Sequence, residues 1–224
     1  MPALAGARNM PKPPASPTAC SRGRPSRLPS PRPDRPCFES DSMSDAASPR
    51  PWLQDRRVAH LLSFWRAARP AVDRLPARAA MDPVRLGPDI LPYLALVEVT
   101  HGGTRFRFRL VGSKLIEHAA LDLSGSYIDD LNPNTDYAEY INGLYRLGRD
   151  ARLPVYSETR YRADSGRVGL TRRLLCPLAD DGLAVDRFVA VQVFETDDRI
   201  GDAPTYTYAA RFLPGIAKAL ADAD

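Results

Sequence analysis

The chain has 224 residues, of which 44% are hydrophobic and 26% charged, an ordinary make-up for a globular protein. No run approaches the ~18 consecutive apolar residues of a membrane span, and the N-terminus lacks the apolar core of a secretory signal, so a soluble, cytoplasmic protein is expected. The net charge of +4 invites a nucleic-acid reading, but residues 1–42 carry seven of the 31 basic and three of the 27 acidic residues; the remaining 24 of each sign cancel in residues 43–224, and neither a nucleic-acid nor a membrane partner is expected.

Residues 1–51 hold twelve of the 22 prolines and show neither a helical nor a strand period. Such a segment cannot bury enough apolar surface to offset its ordering entropy, and it reads as disordered. Its PxxP spacings suit an extended docking segment; a plain spacer is the simpler account. The Arg, Pro, Ala and Ser content also fits upstream sequence translated from a start placed too early, with Met43 as the alternative start. Residues 52–200 then form the folded domain, and 201–224 a C-terminal tail.

The first ordered element is a helix near 52–68. Val58, Leu61, Leu62 and Trp65 recur at i, i+3, i+4 and i+7 and make one apolar stripe. Pro70 ends it. A proline-punctuated connection follows, with a helical turn after Asp82-Pro83. The nearly unbroken apolar run from Tyr93 to Thr100 reads as a strand buried on both faces. "HGGT" at 101–104 is a hairpin loop. The next strand alternates Phe106, Phe108 and Leu110 with Arg105, Arg107 and Arg109. An arginine stripe suggests anion binding; the blander account is a face bathed in water or covered by acidic residues.

Gly112-Ser113-Lys114 turns this strand into a short helix containing Leu115, Ile116 and Ala119. A stronger helix covers 134–148, capped by Asn134 or Thr135, with Tyr137, Tyr140, Ile141 and Leu144 along one stripe. Strands follow at about 155–163, 168–178 and 187–195, with turns at "ADSG" and "ADDG". The tail, "YTYAARFLPGIAKALADAD", reads as a terminal helix with poor order at its end. The sum is an α+β domain: a five-stranded antiparallel sheet, helices grouped on one face, and a flanking N-terminal helix.

Several chemistries are excluded. A phosphate cradle needs G-x-x-x-x-G-K-[ST], and Gly112 before Ser113-Lys114 has no second glycine four to six residues upstream. His60, His101 and His118 sit on separate elements without metal-ligand spacing, and each reads as a packing or surface histidine. Cys20, Cys37 and Cys176 form no CxxC pair, so neither a disulfide framework nor a zinc site is expected. Cys176 lies in an apolar strand that holds it as a thiol.

The segments "FWRAARPAVDRLPARAAMDP", "LPYLALVEV", "FRFRLVGSKL", "LDLSGSYIDDL" and "RRLLCPLADDG…FVAVQVF" resemble, in this order, a family of short stand-alone bacterial PAS proteins, over roughly residues 57–197. The resemblance implies a PAS-like fold with space for a ligand between sheet and helices. It implies a non-enzymatic sensory and protein-interaction module, homodimeric through its N-terminal helix and exposed sheet, acting in trans on an unknown signalling protein. One departure matters: a glycine usually precedes the "LSG" segment, where this chain has Ala119-Ala120, so a more helical backbone and an altered pocket rim are expected.

Haem, found in some relatives, would want a histidine on the 134–148 helix, which has none. A photoactive flavin would want a cysteine in "SGSYIDDLN", which also has none. Neither cofactor is supported, leaving a small organic ligand or no ligand. The expected ligand-binding residues are Phe106, Phe108, Leu110, Tyr137, Tyr140, Ile141, Leu144, Tyr161 and Arg172; the same apolar set would also fill a dry core. Arg172 and Arg173 occupy both faces of one strand, and the inward one could grip a ligand carboxylate. The competing readings are a small α+β-cone enzyme acting on a hydrophobic metabolite, which needs Asp136 or Glu158 beside a tyrosine in the pocket, and an adaptor with no pocket.

Overall fold

The computed structural model of the chain describes residues 50–130, 135–162, 168–196 and 211–224. The proline-rich segment to residue 49, with Cys20, Cys37 and Met43, lies outside the described residues, as do Asn134 and the "ADSG" turn.

Helix α1 spans Arg56–Ala68. The Asp55 carboxylate caps it by accepting from the amides of Arg57 and Val58. Its stripe of Val58, Leu61, Leu62 and Trp65 is buried, as the spacing predicts. The proline-rich connection carries the short helix α2, Pro83–Leu86, started by Asp82. Strands β1 (Leu94–Thr100) and β2 (Arg105–Val111) form a hairpin, followed by helix α3 (Ser113–Ala119) and the long helix α4 (Thr135–Ala151). Strands β3 (Val155–Arg162), β4 (Val168–Leu178) and β5 (Arg187–Thr196) come next.

The tail departs from expectation. Residues Arg211–Ala219 form a sixth strand, β6, rather than a helix. Pro214-Gly215 interrupts helical continuation, and β3 otherwise has an open edge. β6 pairs antiparallel along that edge, from Val155↔Ala219 to Arg162↔Arg211, with an irregularity between Ser157 and Thr159. An edge strand accommodates proline, which has no amide to donate. The sheet order is β2-β1-β5-β4-β3-β6, with every neighbouring pair antiparallel.

Helices pack on both faces of the sheet, and alternate residues of β3, β4 and β5 serve opposite cores. On the outer face α1 packs over Tyr156, Leu174, Cys176, Val189, Val191 and Val193. Trp65, 1% exposed, also donates its indole N–H to the Pro177 carbonyl at 2.7 Å. On the inner face α3 and α4 pack over Val97, Phe106, Val155, Leu175, Phe188 and Ala190. The apolar stripe of α1 is therefore used within the chain itself.

The turn into α3 depends on Gly112. Its amide donates to the Leu94 carbonyl at 2.7 Å, and a Cβ there would lie 2.3 Å from the Pro92 carbonyl oxygen. Lys114 pairs with Glu117 at the surface, so the Gly-Ser-Lys sequence is a tight packing turn. Beyond α3, Ala120 adopts the left-handed conformation, φ 52° and ψ 23°. The more helical backbone expected at Ala119-Ala120 holds for Ala119 but not for Ala120, where alanine takes up the shape a helix-terminating glycine adopts freely. The following segment then runs along the β2 edge, where Gly125 donates to the Phe108 carbonyl and Phe108 to that of Ser126.

Candidate functional site

Between the inner sheet face and helices α3 and α4 lies a cavity of about 80 Å³. Four expected residues meet in its wall: Phe108 from β2, and Tyr137, Ile141 and Leu144 from α4. Leu115 and Ala119 from α3, Leu123, Ile128, and the strand residues Ala95, Leu175, Ala190 and Phe194 add to the apolar lining. Phe106 lies behind this wall, stacked on Tyr145 with ring centroids 5.0 Å apart. Tyr140 packs against the same core without lining the cavity. The side chain of Tyr161 lies outside the described residues.

Two expectations are corrected. Leu110 is 55% exposed and faces away from the cavity. The β1–β2 register runs Val97↔Phe108 but Leu96↔Leu110, so an extra residue, Arg109, enters β2 as a bulge and reverses the alternation. Val111 takes the inward position opposite Ala95 instead. The second correction exchanges neighbours in β4. Arg172 points to the outer face, where Glu158 (3.2 Å) and Glu195 pair with it. The inward guanidinium belongs to Arg173.

Arg173 is 5% exposed. Its Nε donates to Gln192 Oε1 at 3.0 Å, Nη1 to Thr159 Oγ1 at 3.1 Å, and Nη2 to the Tyr137 hydroxyl at 2.5 Å. All three acceptors are neutral. The partners come from three elements, β5, β3 and α4, and they hold the guanidinium plane at the cavity wall.

His118, on α3, also lines the cavity and lies face to face with Phe194, ring centroids 3.4 Å apart. Burial and then the Arg173 charge lower its pKa from 6.5 to about 4, so the ring is neutral near pH 7. Burial raises the Tyr145 phenol and the Cys176 thiol, and each keeps its proton at neutral pH. His60 is a packing histidine, donating to the Leu86 carbonyl at 3.1 Å.

Arg173, His118, Gln192, Tyr145 and Phe194 were not among the expected site residues. Tyr137, Ile141, Leu144 and Tyr145 fall at i, i+4, i+7 and i+8, a better inward stripe than the one through Tyr140. Leu115, His118 and Ala119 likewise share one face of α3 at i, i+3 and i+4. The side of Arg173, by contrast, follows from strand pairing and had no local signal.

The carboxylates considered for acid–base chemistry lie elsewhere. Asp136 is exposed. Glu158 sits on the outer sheet face, accepting from the Tyr156 hydroxyl at 2.7 Å and from Arg172. Two arginines of the β2 stripe are internally paired, Arg105 with Asp129 and Asp130 and Arg107 with Glu98, and the third, Arg109, is exposed. Among the described residues no cluster of three His, Cys, Asp or Glu is arranged to hold a metal, and no helix is long and apolar enough to cross a membrane.

The family model of the PAS domain matches residues 54–192. That stretch runs from just before α1 into β5 and includes every cavity-lining residue except Phe194. No curated protein matches the chain.

Proposed function

Because this chain belongs to the PAS domain family, generally a family of sensory modules, we propose that it is a non-enzymatic sensor and protein-interaction module of bacterial signalling, acting in trans. A small organic ligand enters the cavity between the sheet and α3/α4, and its occupancy is passed to a separate signalling protein. The protein works in the cytoplasm as a homodimer.

The observation that carries this reading is the wall of the cavity: apolar over most of its area, with one fixed guanidinium. Convergent polar groups in an apolar cleft are the usual form of a small-molecule site. No carboxylate is found among the described lining residues, which favours binding over the acid–base chemistry a metabolite-converting enzyme would need. The cavity itself favours a sensor over an adaptor without a pocket.

The strands of the cavity floor also carry the outer face. Arg173, Leu175, Ala190 and Gln192 face inward, while Leu174, Cys176, Val189 and Val191 between them support α1. A ligand that shifts β4 or β5 therefore acts on the seat of α1, which gives occupancy a physical route to the surface.

Native mass spectrometry of protein purified from its own host tests the reading. A small molecule that stays bound in the gas phase and is released on unfolding is expected. A protein that always emerges empty, with no small-molecule adduct, counts against the sensor. Light scattering after size exclusion checks the homodimer; a monomer at high concentration removes it.

A further inference from the structure

Resting on the ligand-binding reading above, we infer that the cavity takes a small monocarboxylate with a short apolar body, its carboxylate held by Arg173. A buried arginine ordinarily lies against a carboxylate, because removing a charge from water is costly unless the charge is matched. Among the described residues Arg173 has only neutral acceptors, and three of its five N–H groups are engaged. The positive charge at the cavity wall is thus oriented, and no described residue balances it.

The neighbouring residue gives the contrast. Arg172 has Glu158 directly across the β3–β4 ladder and Glu195 beside it. Directly across the two ladders from Arg173 the chain places Ser157 and Gln192, neither of them acidic. The acids of these strands serve the outer arginine, and among the described residues none faces the inner one, which is therefore the group offered to an external anion.

Size and chemistry narrow the anion. A cavity of about 80 Å³ exceeds the ~10–15 Å³ that one water needs and suits a body of a few heavy atoms. The described lining residues offer one cation and no lysine. A dianionic phosphate would keep a second charge unmatched there, whereas one planar carboxylate fits one guanidinium fork. Leu115, Ile128, Ile141, Leu144 and Leu175 would receive the apolar body. A cationic ligand is repelled.

The test is calorimetric titration of the full chain, in chloride-free buffer, with butyrate and with its neutral isostere butyramide. Butyrate is expected to bind one to one and roughly tenfold or more tighter than butyramide. Arg173→Met is expected to remove that preference. Should this variant fail to fold, an imidazole NMR titration of the unaltered protein locates the site: butyrate must move the ring signals of His118, assigned by His118→Gln. Equal affinity for acid and amide overturns the carboxylate inference while leaving a ligand-binding cavity intact. Binding of neither probe, or an acid preference that survives Arg173→Met or leaves His118 unmoved, overturns it as well. An empty protein in native mass spectrometry is a separate result, bearing on the sensor reading.

Discussion

Protonation of His118 should destabilise the fold, and the size of the effect can be worked out. The imidazole lies flat against Phe194 and shares the cavity wall with the Arg173 guanidinium. Burial, reinforced by that charge, takes its pKa from 6.5 to about 4. Between these values the unfolded chain holds a proton that the folded chain does not. Stability therefore rises with pH over this window: the contribution is complete above pH 6.5 and lost as the pH falls to 4. At about 1.36 kcal/mol per pKa unit the full linkage is about 3 kcal/mol, and about 2–3 kcal/mol once the partial exposure of the ring is allowed for. Urea unfolding followed by circular dichroism, from pH 7.5 to 4 on wild type and His118→Gln, measures it. Carboxylates held low by arginine hydrogen bonds, such as Glu98 with Arg107 and Asp180 with Arg187, also lose stability on acidification. Both proteins share those groups, so the difference between the curves isolates His118. Wild type should lose about 2–3 kcal/mol more than the variant. Parallel curves, or an imidazole that titrates near 6.5 by NMR, would refute the packing of His118 described above.

Three further substitutions probe the frame around the cavity. Trp65→Phe removes the indole hydrogen bond to Pro177 and shrinks a fully buried ring; a loss of about 2–4 kcal/mol is expected in urea unfolding, and a loss under about 0.5 kcal/mol would contradict the docking of α1. Ala120→Gly relieves a left-handed alanine whose strain is about 1–2 kcal/mol, partly offset by glycine's greater freedom when unfolded. A gain of about 0.5–1 kcal/mol in the same assay is expected, and a net loss would contradict that backbone shape. Gly112→Ala drives a Cβ onto the Pro92 carbonyl, and it should cost about 3 kcal/mol or prevent folding; a neutral effect would mean the β2–α3 turn is looser than described.

The order of elements was legible because it rests on local signals. The i, i+3, i+4, i+7 stripe of α1 and the Asp-Gly turn between β4 and β5 needed only neighbouring residues. The site was less legible because facing is a property of pairing. Alternation in "RFRFRLV" places Leu110 with Phe106 and Phe108, and a single inserted residue opposite β1 reverses it. In "TRRLL" both arginines satisfy the same pattern; only their alignment with Glu158 and Gln192 distinguishes the outer from the inner. The tail failed for a related reason. "IAKALADAD" has helical composition, but the open edge of β3 supplies hydrogen-bonding groups that composition does not reveal.

The placement of α1 constrains how the proposed homodimer can form. An interface built on a bare outer sheet face requires α1 to leave it. Four buried side chains would then be exposed, Val58, Leu61, Leu62 and Trp65, at about 1.5–3 kcal/mol each, or about 6–12 kcal/mol together. Domains of this kind are held by only about 5–15 kcal/mol, so an undocked α1 with nothing in its place would leave little or no fold. Two arrangements avoid that loss. Either the copies meet through surfaces other than the sheet face, with α1 docked as described, or they exchange α1, so that each sheet is covered by its partner's helix and the apolar burial is conserved. In both, the part of the outer face beneath α1 stays covered. In the function proposed above, a signal that begins at Arg173 would then reach another protein through the position of α1 on β4 and β5, not through a free sheet.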